Sequence, residues 1–127
     1  MEYPSKKDII IIDAEPHSGK EYGGHDPKSG NKRRHMVVVS SNGYNRATGM
    51  VIGMPITTSE RYKNNPRYMP ILKNGSQFDG VKGYVVLWQL QNFDFKSRHG
   101  VIVNKLTERE YKKLVPYIKA MLDFQVL

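Results

Sequence analysis

The sequence predicts a mainly β, β-rich α+β fold, a small, strongly bent antiparallel sheet or barrel closed by one C-terminal helix. Three observations carry this. Short apolar, β-branched runs separated by turn residues recur from Asp8 to Asn104. The apolar spacing changes to that of a helix only after Thr107. Strands followed by a single helix disfavour an alternating βαβ arrangement. The 127 residues, 39% hydrophobic and 25% charged, suit one globular domain over 1–127, with no internal repeat and no linker to divide it.

Asp8 to Asp13 (DIIIID) reads as a buried strand. Ala14 to Asn31, rich in glycine and charge, reads as a long loop, and loops that long in a small domain are usually functional or mobile. Met36 to Ser40 and Met50 to Ile56 are the next strands, joined by the turn-rich Ser41 to Asn45. A basic, asparagine-rich loop spans Glu60 to Arg67. Weaker strands follow at Tyr68 to Leu72 and Tyr84 to Gln91, with Asp79-Gly80 and Lys82-Gly83 as turns between them. Val101 to Asn104 is a short strand that closes the sheet. Thr107 to Glu110 (TERE) has the capping-box form that opens a helix. Tyr111, Leu114, Val115, Ile118, Met121 and Leu122 then make one apolar stripe, and Pro116 inside it kinks or splits the helix.

Several chemistries drop out early. Without cysteine there is no disulfide, thiolate nucleophile or zinc–thiolate site. His17-Ser18-Gly19-Lys20 fails as a phosphate loop, because Ala14 stands where the first glycine belongs and Glu21 where Ser or Thr must follow the lysine. The four histidines have no i,i+4 pairing, so neither a metal site nor another cofactor is expected. No G-x-S-x-G elbow is present. Only four apolar residues, Ile9 to Ile12, follow the polar N-terminus, too few for a signal peptide or membrane span, so a cytoplasmic protein with no membrane partner is expected. The excess of 20 Lys and Arg over 12 Asp and Glu, +8, fits a nucleic-acid partner or simple solubility.

An ordered set of motifs narrows the function. Asp13-Ala-Glu-Pro16, Gly19-Lys-Glu21, Gly23-Gly24-His25, Arg34-His-Met-Val-Val-Val-Ser40, Tyr44-Asn45, Thr48-Gly49 and Pro55-Ile-Thr-Thr-Ser59 follow one another along the chain. Together they resemble the MazF/PemK family of toxin endoribonucleases. Gln89 and Asp94-Phe-Lys-Ser-Arg98 continue the likeness across nearly the whole chain. The resemblance implies an SH3-like barrel and a homodimer. It also implies metal-independent cleavage of single-stranded messenger RNA, giving a 2′,3′-cyclic phosphate and a 5′-OH, and inhibition by an acidic antitoxin. CcdB-like gyrase inhibitors share the architecture and form the alternative, as does a relative that binds RNA without cutting it.

Carried over position by position, Arg34 is the phosphate-stabilising cation, with Arg33 as the alternative, because a guanidinium forks onto phosphate oxygens. Thr57 holds a phosphate oxygen or positions Arg34; Glu21 is a candidate base and His25 a candidate acid or base. Lys28, Lys32 and Arg33, with Arg34 and His35, read as a flexible cationic arm for RNA. Arg61, Lys63 and Arg67 interleave with Tyr62 in the second loop, cations for phosphates and rings for bases, and Gln89 joins the RNA contacts. Two departures stand out. Asp26 to Arg33 insert between His25 and Arg34, and Trp88, expected in the core, stands where relatives carry an acid.

Overall fold

A computed structural model describes residues 2–14, 33–76 and 79–123. Glu21, His25, Lys28 and Lys32, with nearly all of the long loop, lie outside the described residues. The first β-branched run forms β1, Asp8–Asp13. The valine run forms β2, Arg33–Val38, which begins three residues earlier than its sequence suggests and so takes Arg33, Arg34 and His35 out of any flexible arm. After a short helix come β3 (Met50–Thr57), β4 (Tyr68–Lys73), β5 (Val81–Val86), β6 (Gln91–Asp94) and β7 (Val101–Lys105). Among the described residues these pair antiparallel in the order β4-β5-β3-β2-β1-β7, with β6 also on β3.

β3 is the hub of the sheet, with β2 along one edge and β6, then β5, along the other. Met50 to Gly53 pair with β6, Gly53 to Pro55 with β2, and Ile56 and Thr57 with β5. The segment expected as one strand from Tyr84 to Gln91 is two, because β5 and β6 both pair with β3 but with three extra residues between them, Val85 standing opposite Ile56 and Gln91 opposite Gly53. Trp88 falls in the break between them and is 38% exposed instead of buried. Lys82 and Gly83 are strand residues, not a turn. A Cβ on Gly83 would lie 2.5 Å from the Thr57 carbonyl oxygen, so only glycine lets β5 approach the end of β3 this closely.

Side chains alternate between two faces. One carries Ile9, Val37, Met54, Ile56 and Val85 and is covered by α2 (Glu108–Lys112) and α3 (Val115–Leu122) through Tyr111, Leu114 and Ile118. Pro116 splits the two helices as its ring requires, and the Thr107–Glu110 capping box is formed. Glu110 also accepts from Lys73 Nζ at 2.8 Å, tying helix to sheet. Leu122, at the far end of the expected stripe, is exposed. The other face buries Ile10, Ile12, Met36, Val38 and Val51 against Phe95, with a separate tyrosine cluster of Tyr68 and Tyr84 around Val86.

The connection expected as a turn at Ser41 to Asn45 is a helix, α1, Asn42–Thr48. Five of its seven residues (Asn42, Gly43, Tyr44, Asn45 and Thr48) are weak helix formers, and its ends compensate. The Ser41 hydroxyl accepts from Tyr44 N–H at 3.2 Å, and Gly49 takes the left-handed conformation, φ 73°. Asn45 is fully buried, accepts from the Ser40 hydroxyl and donates to the Pro4 carbonyl at 2.8 Å. Among the described residues no helix is long and apolar enough to cross a membrane.

Candidate functional site

The β2–β3 ladder pairs Val38 with Gly53, Val37 with Met54 and Met36 with Pro55. Two more steps in this register would set Arg34 opposite Thr57, on one face of the sheet. Pairing with β2 stops first: Ile56 and Thr57 keep β5 on the other edge of β3, opposite Val85 and Tyr84, while Arg34 remains opposite Ile12 of β1. The strands part, and the gap is a pocket of about 150 Å³ lined by Arg34, Pro55, Ile56 and Thr57, with Ser59, Arg61 and Tyr62 on its rim. Thr57 is 8% exposed, and its Oγ1 accepts from Ser59 N–H at 3.3 Å. That bond uses a lone pair and not the hydroxyl hydrogen.

The arginine beside it has a different environment. Strand alternation turns Arg33 to the opposite face, where Nη1 donates to Asp13 Oδ1 at 2.8 Å and Nη2 to the His99 carbonyl at 2.6 Å. His99 Nδ1 lies 2.7 Å from Asp13 Oδ2. The hydrogen bond with His99, helped by the Arg33 guanidinium, holds the Asp13 carboxyl below its ordinary value, outweighing partial burial. Arg98 closes the same cluster by donating to the Asp13 carbonyl at 3.1 Å. His35, also on that face, is half-buried; burial pushes its pKa down, and its buried Nε2 has no hydrogen-bond partner among the described residues.

After Thr57 the chain makes a single 3₁₀ turn, Glu60–Tyr62. The Arg61 guanidinium lies 4.8 Å from the centre of the Tyr62 ring, and Tyr62 stacks on Tyr68 with centroids 4.0 Å apart and planes at 13°. Lys63 and Arg67 are exposed on the same connection but do not line the pocket. Gln89 is half-buried in the break between β5 and β6, where its Oε1 accepts from Gln91 Nε2 at 2.9 Å. Pocket residues that the sequence did not mark are Pro55, Ile56 and Ser59, although all belong to the motif around Thr57. Tyr84 was also missed. It is opposite Thr57 in register, donates to Glu60 Oε2 at 2.9 Å, and no local pattern flags it.

Residues 5–122 match the sequence model of the PemK-like, MazF-like toxin of type II toxin-antitoxin systems. The chain belongs to this family. The "Endoribonuclease toxin MazF" of Escherichia coli (strain K12) is 35% identical over 78 residues, 61% of this chain and 60% of that relative. The alignment therefore spans about three fifths of the curated relative's length. The crystal structure of MazF (Form-I) from Deinococcus radiodurans superposes with a TM-score of 0.78 at 21% identity, covering 98% of this chain and 100% of that one. A mycobacterial endoribonuclease in complex with its cognate antitoxin gives a TM-score of 0.64 at 19% identity, with both chains fully covered. The curled sheet with a C-terminal helical segment is thus the fold of MazF toxins.

Proposed function

We propose that this MazF-like toxin is a metal-independent, sequence-selective endoribonuclease that cuts single-stranded messenger RNA and so inhibits translation and growth. The observation that carries the proposal is the pocket where β2 and β3 part, with Arg34 and Thr57 on its walls in a chain of this family. A guanidinium beside a nearly buried hydroxyl suits a scissile phosphate, whose added charge grows as the reaction proceeds. The ribose 2′-oxygen forms a new bond to phosphorus and the bond to the 5′-oxygen breaks, giving a 2′,3′-cyclic phosphate and a 5′-OH. One group must take the 2′-OH proton and another must protonate the departing oxygen. Glu21 and His25 are our candidates, on the family likeness alone. Arg34 stabilises the phosphorane-like charge and Thr57 donates to a phosphate oxygen.

Around this centre Arg61 and Tyr62 contact the RNA from the pocket rim, with Lys63, Arg67 and Gln89 further out, and Lys28 and Lys32 join the RNA contacts on their charge in the sequence alone. Arg33 acts less directly, through Asp13. The toxin works in the cytoplasm as a single domain over 1–127 and as a homodimer, neutralised by an acidic antitoxin that competes for the same basic surface. The test is incubation of purified protein with unstructured RNA in EDTA, followed by analysis of the ends. Cleavage leaving 2′,3′-cyclic phosphates is expected; strict dependence on a divalent ion, or 3′-OH products, would refute the mechanism.

A further inference from the structure

A second cavity, of about 270 Å³, opens on the same face of the sheet, lined by Glu60, Pro70, Leu72, Lys82, Gly83 and Tyr84. It adjoins the Arg34–Thr57 pocket through two shared features. Tyr84 is the register partner of Thr57. The 3₁₀ turn presents Glu60 to the second cavity and Arg61 and Tyr62 to the first. Adjacent strands lie about 4.8 Å apart, so the β4–β5 cavity is one or two strand spacings from Thr57, within reach of a neighbouring nucleotide.

The chemistry of the lining differs between the two. The first pocket carries two guanidiniums and suits phosphate. The second carries a carboxylate beside one lysine, without the paired guanidiniums of the first, and the carboxylate accepts hydrogen bonds from the edge of a base. Tyr84 fixes that carboxylate by donating to Oε2, leaving Oε1 to accept from a ligand. The bond to Glu60 raises the Tyr84 pKa, so the phenol keeps the proton it donates. Leu72, 67% exposed, and the exposed Pro70 form an apolar platform against which a base ring can lie.

We propose that this cavity is a nucleobase subsite next to the scissile phosphate, in which Glu60 selects bases bearing an exocyclic amino group and rejects uracil. It rests on the RNA-cleaving reading of the neighbouring pocket. Adenine, cytosine and guanine each offer amino hydrogens to a carboxylate. Uracil flanks its one ring N–H with two carbonyl oxygens, which Glu60 repels. Lys82 donates to the ring acceptor beside the amino group. Glu60 is thus a specificity-determining residue, not a catalytic one.

The test cleaves a randomised RNA with the full chain and sequences the ends, comparing wild type, Glu60→Gln and Tyr84→Phe. Wild type should disfavour uracil at one position adjoining the cut. Glu60→Gln should relax that discrimination by about tenfold, the scale of one good base-edge contact, while cleavage persists. Tyr84→Phe, which keeps the packing and frees the carboxylate, should relax it at the same position by less. Unchanged base preference in Glu60→Gln, or a uniform loss of cleavage at every site, overturns the subsite while wild-type cleavage upholds the nuclease. A wild-type protein that leaves the RNA intact overturns both.

Discussion

The two faces of the curled sheet are built from the same strands, often from adjacent residues, yet they do opposite work. The face of Val37, Met54, Ile56 and Val85 is sealed by Tyr111, Leu114 and Ile118 of the terminal helices. Among the described residues the other face is covered by Phe95 over β1, β2 and the start of β3, and by Tyr68 and Tyr84 over Val86. Beyond Pro55 it opens into two pockets edged by tyrosines, arginines and a glutamate. Arg33 and Arg34 make the contrast at single-residue resolution. One is tied to Asp13 and the His99 carbonyl; the other lines the gap between parting strands. Charge alone does not make a site here. What differs is the face to which strand alternation turns each side chain.

The contrast can be broken by substitution. The largest effect is expected from Arg34→Ala, which should lower kcat for RNA cleavage by about 10²- to 10³-fold, the usual loss on removing one transition-state donor, with little change in melting temperature. A variant that cuts at the full rate would remove Arg34 from the centre. On the helix-covered face the expectation reverses. Leu114→Ala, at a fully buried position, should cost about 2–5 kcal/mol in urea unfolding while a folded fraction keeps its specific activity.

Gly83→Ala links the faces. Its new methyl must push β5 from the Thr57 carbonyl, so a loss of about 1–3 kcal/mol together with slower cleavage is expected. Wild-type stability and rate would mean that Thr57 tolerates displacement. The smallest effect belongs to the Asp13 cluster. Because the folded-state pKa of Asp13 is lowered, its contribution is present above the ordinary carboxyl value of 3.8 and fades as pH falls through the lowered value. Asp13→Asn should therefore cost under about 1 kcal/mol near neutral pH, as is usual for exposed pairs, and lose that difference in acid. A pH-independent deficit in thermal melts would show that the carboxylate charge is not what holds the cluster.

Much of this was legible in the residues themselves. Alternation and β-branching marked β1, the core of β2 and β3, β4 and β7, because a strand's side chains declare its two faces locally. The capping box and Pro116 set the start and the split of the terminal helices for equally local reasons. The motifs around Arg34 and Thr57 pointed to both residues. They did not distinguish Arg34 from Arg33, since two adjacent cations look alike until strand pairing assigns each a face. Tertiary contacts decided the rest. α1 forms from mostly weak helix formers because Ser41, Gly49 and the buried Asn45 hold its ends and its side. The stretch from Tyr84 to Gln91 breaks, and Trp88 is left 38% exposed, because three extra residues fall between β5 and β6 as both run along β3. Glu60 and Tyr84 meet because pairing of β5 with the end of β3 sets Tyr84 opposite Thr57, next to the turn that carries Glu60. Local sequence determined which residues could form strands, helices and a cationic centre. Strand pairing between distant segments, which ends between β2 and β3 at Met36 and Pro55, decided where the sheet opens and which of those residues line the opening.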